Sequence, residues 1–228
     1  MNTNVNLLAP VGVLVFMGSG FLLFMAALVL IQSLVVRRTG RAKIVLLAML
    51  LIAAAYLTAI LIFSLASHEN VLARGEEKHF CEIDCHLAYS LIETRQMQTI
   101  GAGPAQATAN GMFTVVTIKT RFDETTINPS RGNGLLYPNS RVLTLVDDQG
   151  RKYTPSTSGQ QALEASATAG TPLTTPLRPG TFYTTTVVFD LPADAKNPTL
   201  LINEGEWVTH LVIGHENSLL HKKTRFQI

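Results

Sequence analysis

The sequence predicts two transmembrane helices followed by an all-β sandwich. Three observations carry this reading. Two long apolar runs near the N-terminus contain no charged side chain, a short cationic segment separates them, and after His68 the hydrophobic pattern changes to period two.

The first run covers residues 11–36 and is interrupted only by Ser19, Gln32, Ser33 and a few glycines. A helix needs about 20 apolar residues to cross a hydrocarbon core, so the run is long enough even when tilted. Pro10 suits the first turn, where its missing N–H costs nothing. The second run, 44–67, is equally free of charge. A water-facing helix keeps a polar face, and neither run has one. A cleaved signal peptide fits the first run poorly, because residues 1–9 lack Lys and Arg and the apolar stretch exceeds an h-region.

Between the runs stand Arg37, Arg38, Arg41 and Lys43, four of the 18 basic residues, while all 16 acidic residues come later. A short loop with four cations and no anion belongs on the cytoplasmic side. The expected layout is therefore a hairpin over 1–67 with a cytoplasmic loop at 37–43, a linker at 68–78, and a sandwich over 79–228. Both termini and the sandwich then face the extracytoplasmic side. The lipid bilayer is one expected partner. The net charge of +2 arises in that loop and not on the folded domain, so no nucleic-acid partner is expected. Neither helix has an ionisable group within its span, which argues for an anchor or packing surface over an ion pathway.

Strands are expected at 81–91, 111–122, Arg141–Val146, Phe182–Leu191, 199–202, 207–213 and 223–228. In the first, Cys81, Ile83, Cys85, Leu87, Tyr89 and Leu91 share one face, with Glu82, Asp84 and His86 on a solvated opposite face. Asp147-Asp148-Gln149-Gly150 is a turn signal. Trp207, the single tryptophan, falls in an alternating strand and is expected as a core anchor. The segments 123–139 and 156–175 are expected as long loops, with two helical turns over 160–167. About seven short strands with turns between them describe a β-sandwich.

The runs around Phe113-Thr-Val-Val-Thr-Ile-Lys119, Leu145-Val-Asp-Asp-Gln-Gly-Arg-Lys-Tyr153, Leu177-Arg-Pro-Gly180 and Val187-Val-Phe-Asp-Leu-Pro192 resemble a bacterial extracytoplasmic domain family of unknown function. The resemblance spans roughly residues 80–228. It implies an immunoglobulin-like fold, a bacterial cytoplasmic (inner) membrane location, and a binding or interaction module with a membrane or envelope protein partner. It supplies no catalytic residues. No Ser-His-Asp elbow, phosphate loop, H-E-x-x-H or dinucleotide fingerprint occurs, and the chain is expected not to be an enzyme and to need no cofactor.

The densest chemistry is His79-Phe-Cys81-Glu-Ile-Asp-Cys85-His86. A two-helix hairpin before a β domain with Cys-x-x-x-Cys is similar to subunit II of haem–copper oxidases. That likeness implies copper, with His79, Cys81, Cys85 and His86 as candidate metal ligands. Tyr89 and Ile92 stand where that family has its His and Met ligands. Three other readings remain open: a haem c attachment one residue too long, a disulfide, and two small core thiols.

Overall fold

The computed structural model describes residues 8–80, 86–126 and 131–228, which divide into two compact units. The helical unit joins Leu7–His68 to Trp207–Lys222, and the β unit joins Glu69–Glu206 to Lys223–Ile228.

In the helical unit α1 runs Leu8–Val35 and α2 runs Thr39–Leu65. Both are long and apolar enough to cross a membrane by length and composition. Helix α2 starts five residues earlier than the sequence suggested, because Arg41 and Lys43 are good helix formers and continue the helix without strain. The connection shrinks accordingly. Arg37 takes a left-handed backbone (φ 54°), and the amides of Arg37 and Arg38 bond to the carbonyls of Leu34 and Ser33 at 3.0 and 2.8 Å. That is a Schellman close, which satisfies the last carbonyls of α1 and turns the chain back. The rings of Phe16 and Tyr56 meet at 6.4 Å between the two helices.

The β unit is a sandwich of two sheets. Its strands are β1 (Asn70–Leu72), β2 (Glu77–Phe80), β3 (Leu87–Ile100), β4 (Ala107–Phe122), β5 (Arg141–Val146), β6 (Lys152–Tyr153), β7 (Phe182–Leu191), β8 (Thr199–Glu204) and β9 (Thr224–Gln227). One sheet has the order β1-β9-β8-β5-β6, the other β2-β3-β4-β7. Between them lies the main core, with Leu87, Tyr89, Leu91, Val116, Ile118, Phe122, Leu145, Phe189, Leu200, Ile202 and Phe226 all buried. The expected turn after β5 is present: Asp147 accepts from the amides of Gln149 and Arg151 at 3.0 and 2.9 Å.

Several segments depart from expectation. Residues 68–78 are not a plain linker, since they contain β1 and the start of β2. Lys78 is buried there and donates to the carbonyl of Ile202 at 2.8 Å. Of the strand expected at 81–91, residues 81–85 lie outside the described residues, and β3 runs from Leu87 past Leu91 to Ile100, through polar residues that the alternation did not include. A single short helix, α3 (Thr157–Ala165), replaces the two turns expected slightly later, and Ser156 caps it by accepting from the Gly159 amide.

Helix α3 packs on the outer face of the four-stranded sheet and makes a second core from Ile100, Ala109, Phe113, Val115, Ala162, Leu163 and Val188. This explains why both faces of β4 are buried from Phe113 to Val116. Gly159 is where the helix comes closest, with Val188 and Phe113 filling the space a Cβ would need. The region 207–213 is no strand. It forms a 3₁₀ helix, Trp207–Leu211, and belongs to the helical unit. Trp207 is 69% exposed, so it does not anchor the core.

Candidate functional site

Strand pairing builds a polar cluster on the outer face of the four-stranded sheet. Lys78 and Phe80 lie opposite Tyr89 and Leu87, whose side chains enter the main core. Alternation therefore sends Glu77 and His79 outward. On β4 the same parity sends Arg121 outward, beside Ala88 and Phe182 in register. Asp123, one residue past β4, completes the group.

The contacts are close. Arg121 forks onto Glu77, Nε to Oε1 at 2.7 Å and Nη2 to Oε2 at 2.6 Å. The same Nη2 stands 3.2 Å from Asp123 Oδ2, which lies 3.0 Å from His79 Nε2. Thr125 bonds to the other Asp123 oxygen through its amide at 3.0 Å and its hydroxyl at 2.8 Å. Burial pushes the Asp123 carboxyl up, but bonds from Thr125, His79 and Arg121 outweigh it and hold the group well below the usual carboxylate range. The Arg121 fork lowers Glu77 in turn, and Glu77 raises Arg121. His79 Nδ1 is buried without a hydrogen-bond partner among the described residues.

Glu77, His79 and Asp123 bring one ligand atom each within 4.8 Å of one another, a spacing that suits a small divalent cation. The Arg121 guanidinium already stands at hydrogen-bond distance from both carboxylates and offsets one of their two charges, so a metal cation would meet its repulsion. The arrangement therefore fits an ionic clasp between β2 and the end of β4 better than a metal centre.

Of the predicted ligands, His79 is committed to Asp123 through Nε2. His86 is fully buried rather than solvated, and its ring stacks on Phe122 at 5.2 Å with 23° between the planes. Cys81 and Cys85 lie outside the described residues, as do Glu82 and Asp84.

A second feature occupies the same outer face. Between β3, β4 and α3 lies a groove of about 420 Å³, lined by Glu93, Arg95, Met97, Thr99, Val115, Thr117, Leu163, Ser166, Thr168 and Thr186 among others. A β-bulge makes it. Register shifts between Leu91 and Glu93, so the inward parity of Leu87, Tyr89 and Leu91 is reversed beyond Ile92. Without the bulge, Glu93 and Arg95 would point between the sheets. With it, they form a bidentate pair at 2.7 and 3.0 Å on the groove wall. Met97, Val115 and Leu163 give the groove apolar surface and the hydroxyls give it donors and acceptors, the mixture that orients a bound ligand.

No protein-family model and no curated protein matches the chain, so neither sequence resemblance gains support from them. Several solved structures align with part of the chain at low similarity. The secreted protein MPT63 from Mycobacterium tuberculosis aligns with TM-score 0.44 and 10% identity, covering 72% of this chain and 100% of its own. A conserved hypothetical protein from Bacillus anthracis gives 0.43 and 12%, covering 57% of this chain and 89% of its own. An uncharacterised β-sandwich protein from Clostridium difficile gives 0.40 and 9%, covering 71% and 95%. These scores are low, and the sandwich assignment rests on the two sheets of the chain itself.

Sequence reasoning found His79 but missed Glu77, Arg121 and Asp123, because the partners are 44 residues apart. Glu76-Glu77-Lys78 fell in the stretch 68–78 expected as linker. The usable signal was that Glu77 and His79, and likewise Arg121 and Asp123, sit at alternate positions, so that two strands flanking a common neighbour, here β2 and β4 on either side of β3, can bring them to one face.

Proposed function

We infer that the chain is a membrane-anchored, extracytoplasmic binding module of a bacterial inner membrane, with the sandwich as its immunoglobulin-like recognition domain and no catalytic role. The observation that carries this reading is the apolar surface of the hairpin. Leu14, Phe21, Leu50 and Leu51 are all more than half exposed on helices whose spans carry no acidic residue. In water such a surface would far exceed what a soluble protein leaves uncovered, whereas lipid covers it at no cost. The cations at the short turn between the helices support an orientation with that turn in the cytoplasm.

The groove beside α3 supports binding as the role of the sandwich. Its ion pair, hydroxyls and apolar floor suit an extended peptide segment of a membrane or envelope protein partner. A photoreactive side chain placed at Met97 tests this in intact membranes. One discrete adduct at Met97, absent from a Lys196 control and lost on Arg95→Glu, is expected. Equal, diffuse labelling at both positions would remove the groove from the account.

A further inference from the structure

The segment Trp207–Lys222 interrupts the sandwich sequence, yet it packs on the two apolar helices. Tyr56 on α2 donates its hydroxyl to the Leu211 carbonyl at 2.6 Å. The Ser67 hydroxyl, just past α2, accepts from the Lys222 amide at 2.8 Å. On α1 the carbonyl of Ile213 and a methyl of Val212 come against Gly12, where any side chain would collide with them. The segment is thus fixed at a definite height along both helices.

That height is computable. Tyr56 is about 25 Å from the first residue of α2, and Gly12 about 35 Å from the last residue of α1, at 1.5 Å per residue. A hydrocarbon core is about 30 Å thick, so Leu211 and Ile213 bracket its far boundary when the helix turn marks the near one. We propose that Trp207–Lys222 is an interfacial element that dips into the outer leaflet and lays Trp207, Leu211, Leu219 and Leu220 against phospholipid. This rests on the membrane-anchor reading above.

Two features of the segment suit that place. Its large apolar side chains are turned out, Trp207, Leu219 and Leu220 each by more than 60%. Several of its polar groups, in contrast, bond to one another. Asn217 and Ser218 are buried, the Asn217 amide bonds to His215 Nδ1 at 3.0 Å, and its side-chain nitrogen donates to Thr209 at 3.1 Å. The Asn217 carbonyl meets His210 Nδ1 at 2.6 Å, and the Ser218 hydroxyl closes on the Val212 carbonyl. Irregular backbone near the acyl chains needs such internal satisfaction, because lipid offers no partners. Tryptophan, with an apolar ring and one N–H, belongs at that boundary.

Trp207 is the only tryptophan, so its fluorescence reports on this segment alone. The full chain is reconstituted in phosphatidylcholine vesicles, with and without lipid brominated near the headgroup end of the chains, and floated after a carbonate wash. The proposal expects the protein to float, bromolipid to remove most of the emission, and aqueous iodide to remove little. A Trp207→Phe variant sets the background. Leu211→Trp on that background reads a second position, expected to be quenched as well. Protein that floats while iodide quenches Trp207 and bromolipid does not would overturn this inference and leave the anchor standing. Protein that floats with Trp207 shielded from both quenchers would also overturn it, in favour of a protein cover. Failure to float would overturn the anchor reading and this inference together.

Discussion

Asp123 shows how one side chain ties the sandwich to solution pH. Its carboxylate is 2% exposed as a residue and surrounded by Thr125, His79 and Arg121, which hold its pKa low in the folded state. A folded value below the unfolded one, about 3.9, means that the unfolded chain takes up the proton first as pH falls. The stability from Asp123 is therefore complete above about pH 5 and is lost progressively as pH drops through 4 toward the folded value. Glu77 adds to the same trend. Chemical denaturation at a series of pH values is expected to show this loss in the wild type and a flatter profile in Asp123→Asn. Removing the group entirely, in Asp123→Ala, leaves Arg121 facing Glu77 alone and His79 Nε2 with only the more distant Glu77 carboxylate at 3.9 Å, with an expected cost of about 3 kcal/mol at neutral pH. Arg121→Lys keeps the charge but loses the two-point fork, and is expected to be intermediate. Of these four residues the sequence made only His79 conspicuous. The others acquire meaning from a strand register that sequence alone does not state.

At the scale of elements, what could be read in advance followed from periodicity and what could not followed from its interruption. Strands β5 and β7 have the expected bounds because their apolar alternation is unbroken and ends at turn residues. Strand β3 was legible to Leu91, where the bulge at Ile92 reverses parity and the exposed face becomes polar. The same bulge creates the groove wall. Helix α3 was legible as a helix but not as a cover for the sheet, since its residues are small and its packing rests on Gly159, Ala162 and Leu163. Leu163→Ala is expected to cost about 2–3 kcal/mol, measured by denaturant titration, and to widen the groove. Gly159→Leu should displace α3 from Val188 and Phe113, abolishing the adduct at Met97 while the two sheets persist by circular dichroism. Residues 207–213 misled because alternation of Trp207, Thr209 and Leu211 matches a strand, while the face that is apolar turns outward in a 3₁₀ helix.

For the molecule as a whole, the decisive contrast is between two surfaces. The sandwich is closed around two cores and presents mixed polar faces, whereas the helical unit displays Leu, Ile, Val and Phe over most of its length. Such a division fits the proposed anchor, with water around one unit and lipid around the other. The charges at 37–43 then set direction, and replacing Arg37, Arg38, Arg41 and Lys43 with Gln is expected to scramble it. The hairpin was the most legible part of the chain, since its signal depends on composition over a long window rather than on register. The measurement that addresses the central claim most directly is alkaline phosphatase fused after Ile228 in a bacterial host, assayed in carbonate-washed membranes. The account predicts an active enzyme that stays with the membranes, because the C-terminus lies outside and the hairpin remains in the bilayer. Activity released into the soluble fraction, or a membrane-bound but inactive fusion whose green-fluorescent counterpart glows, would contradict it.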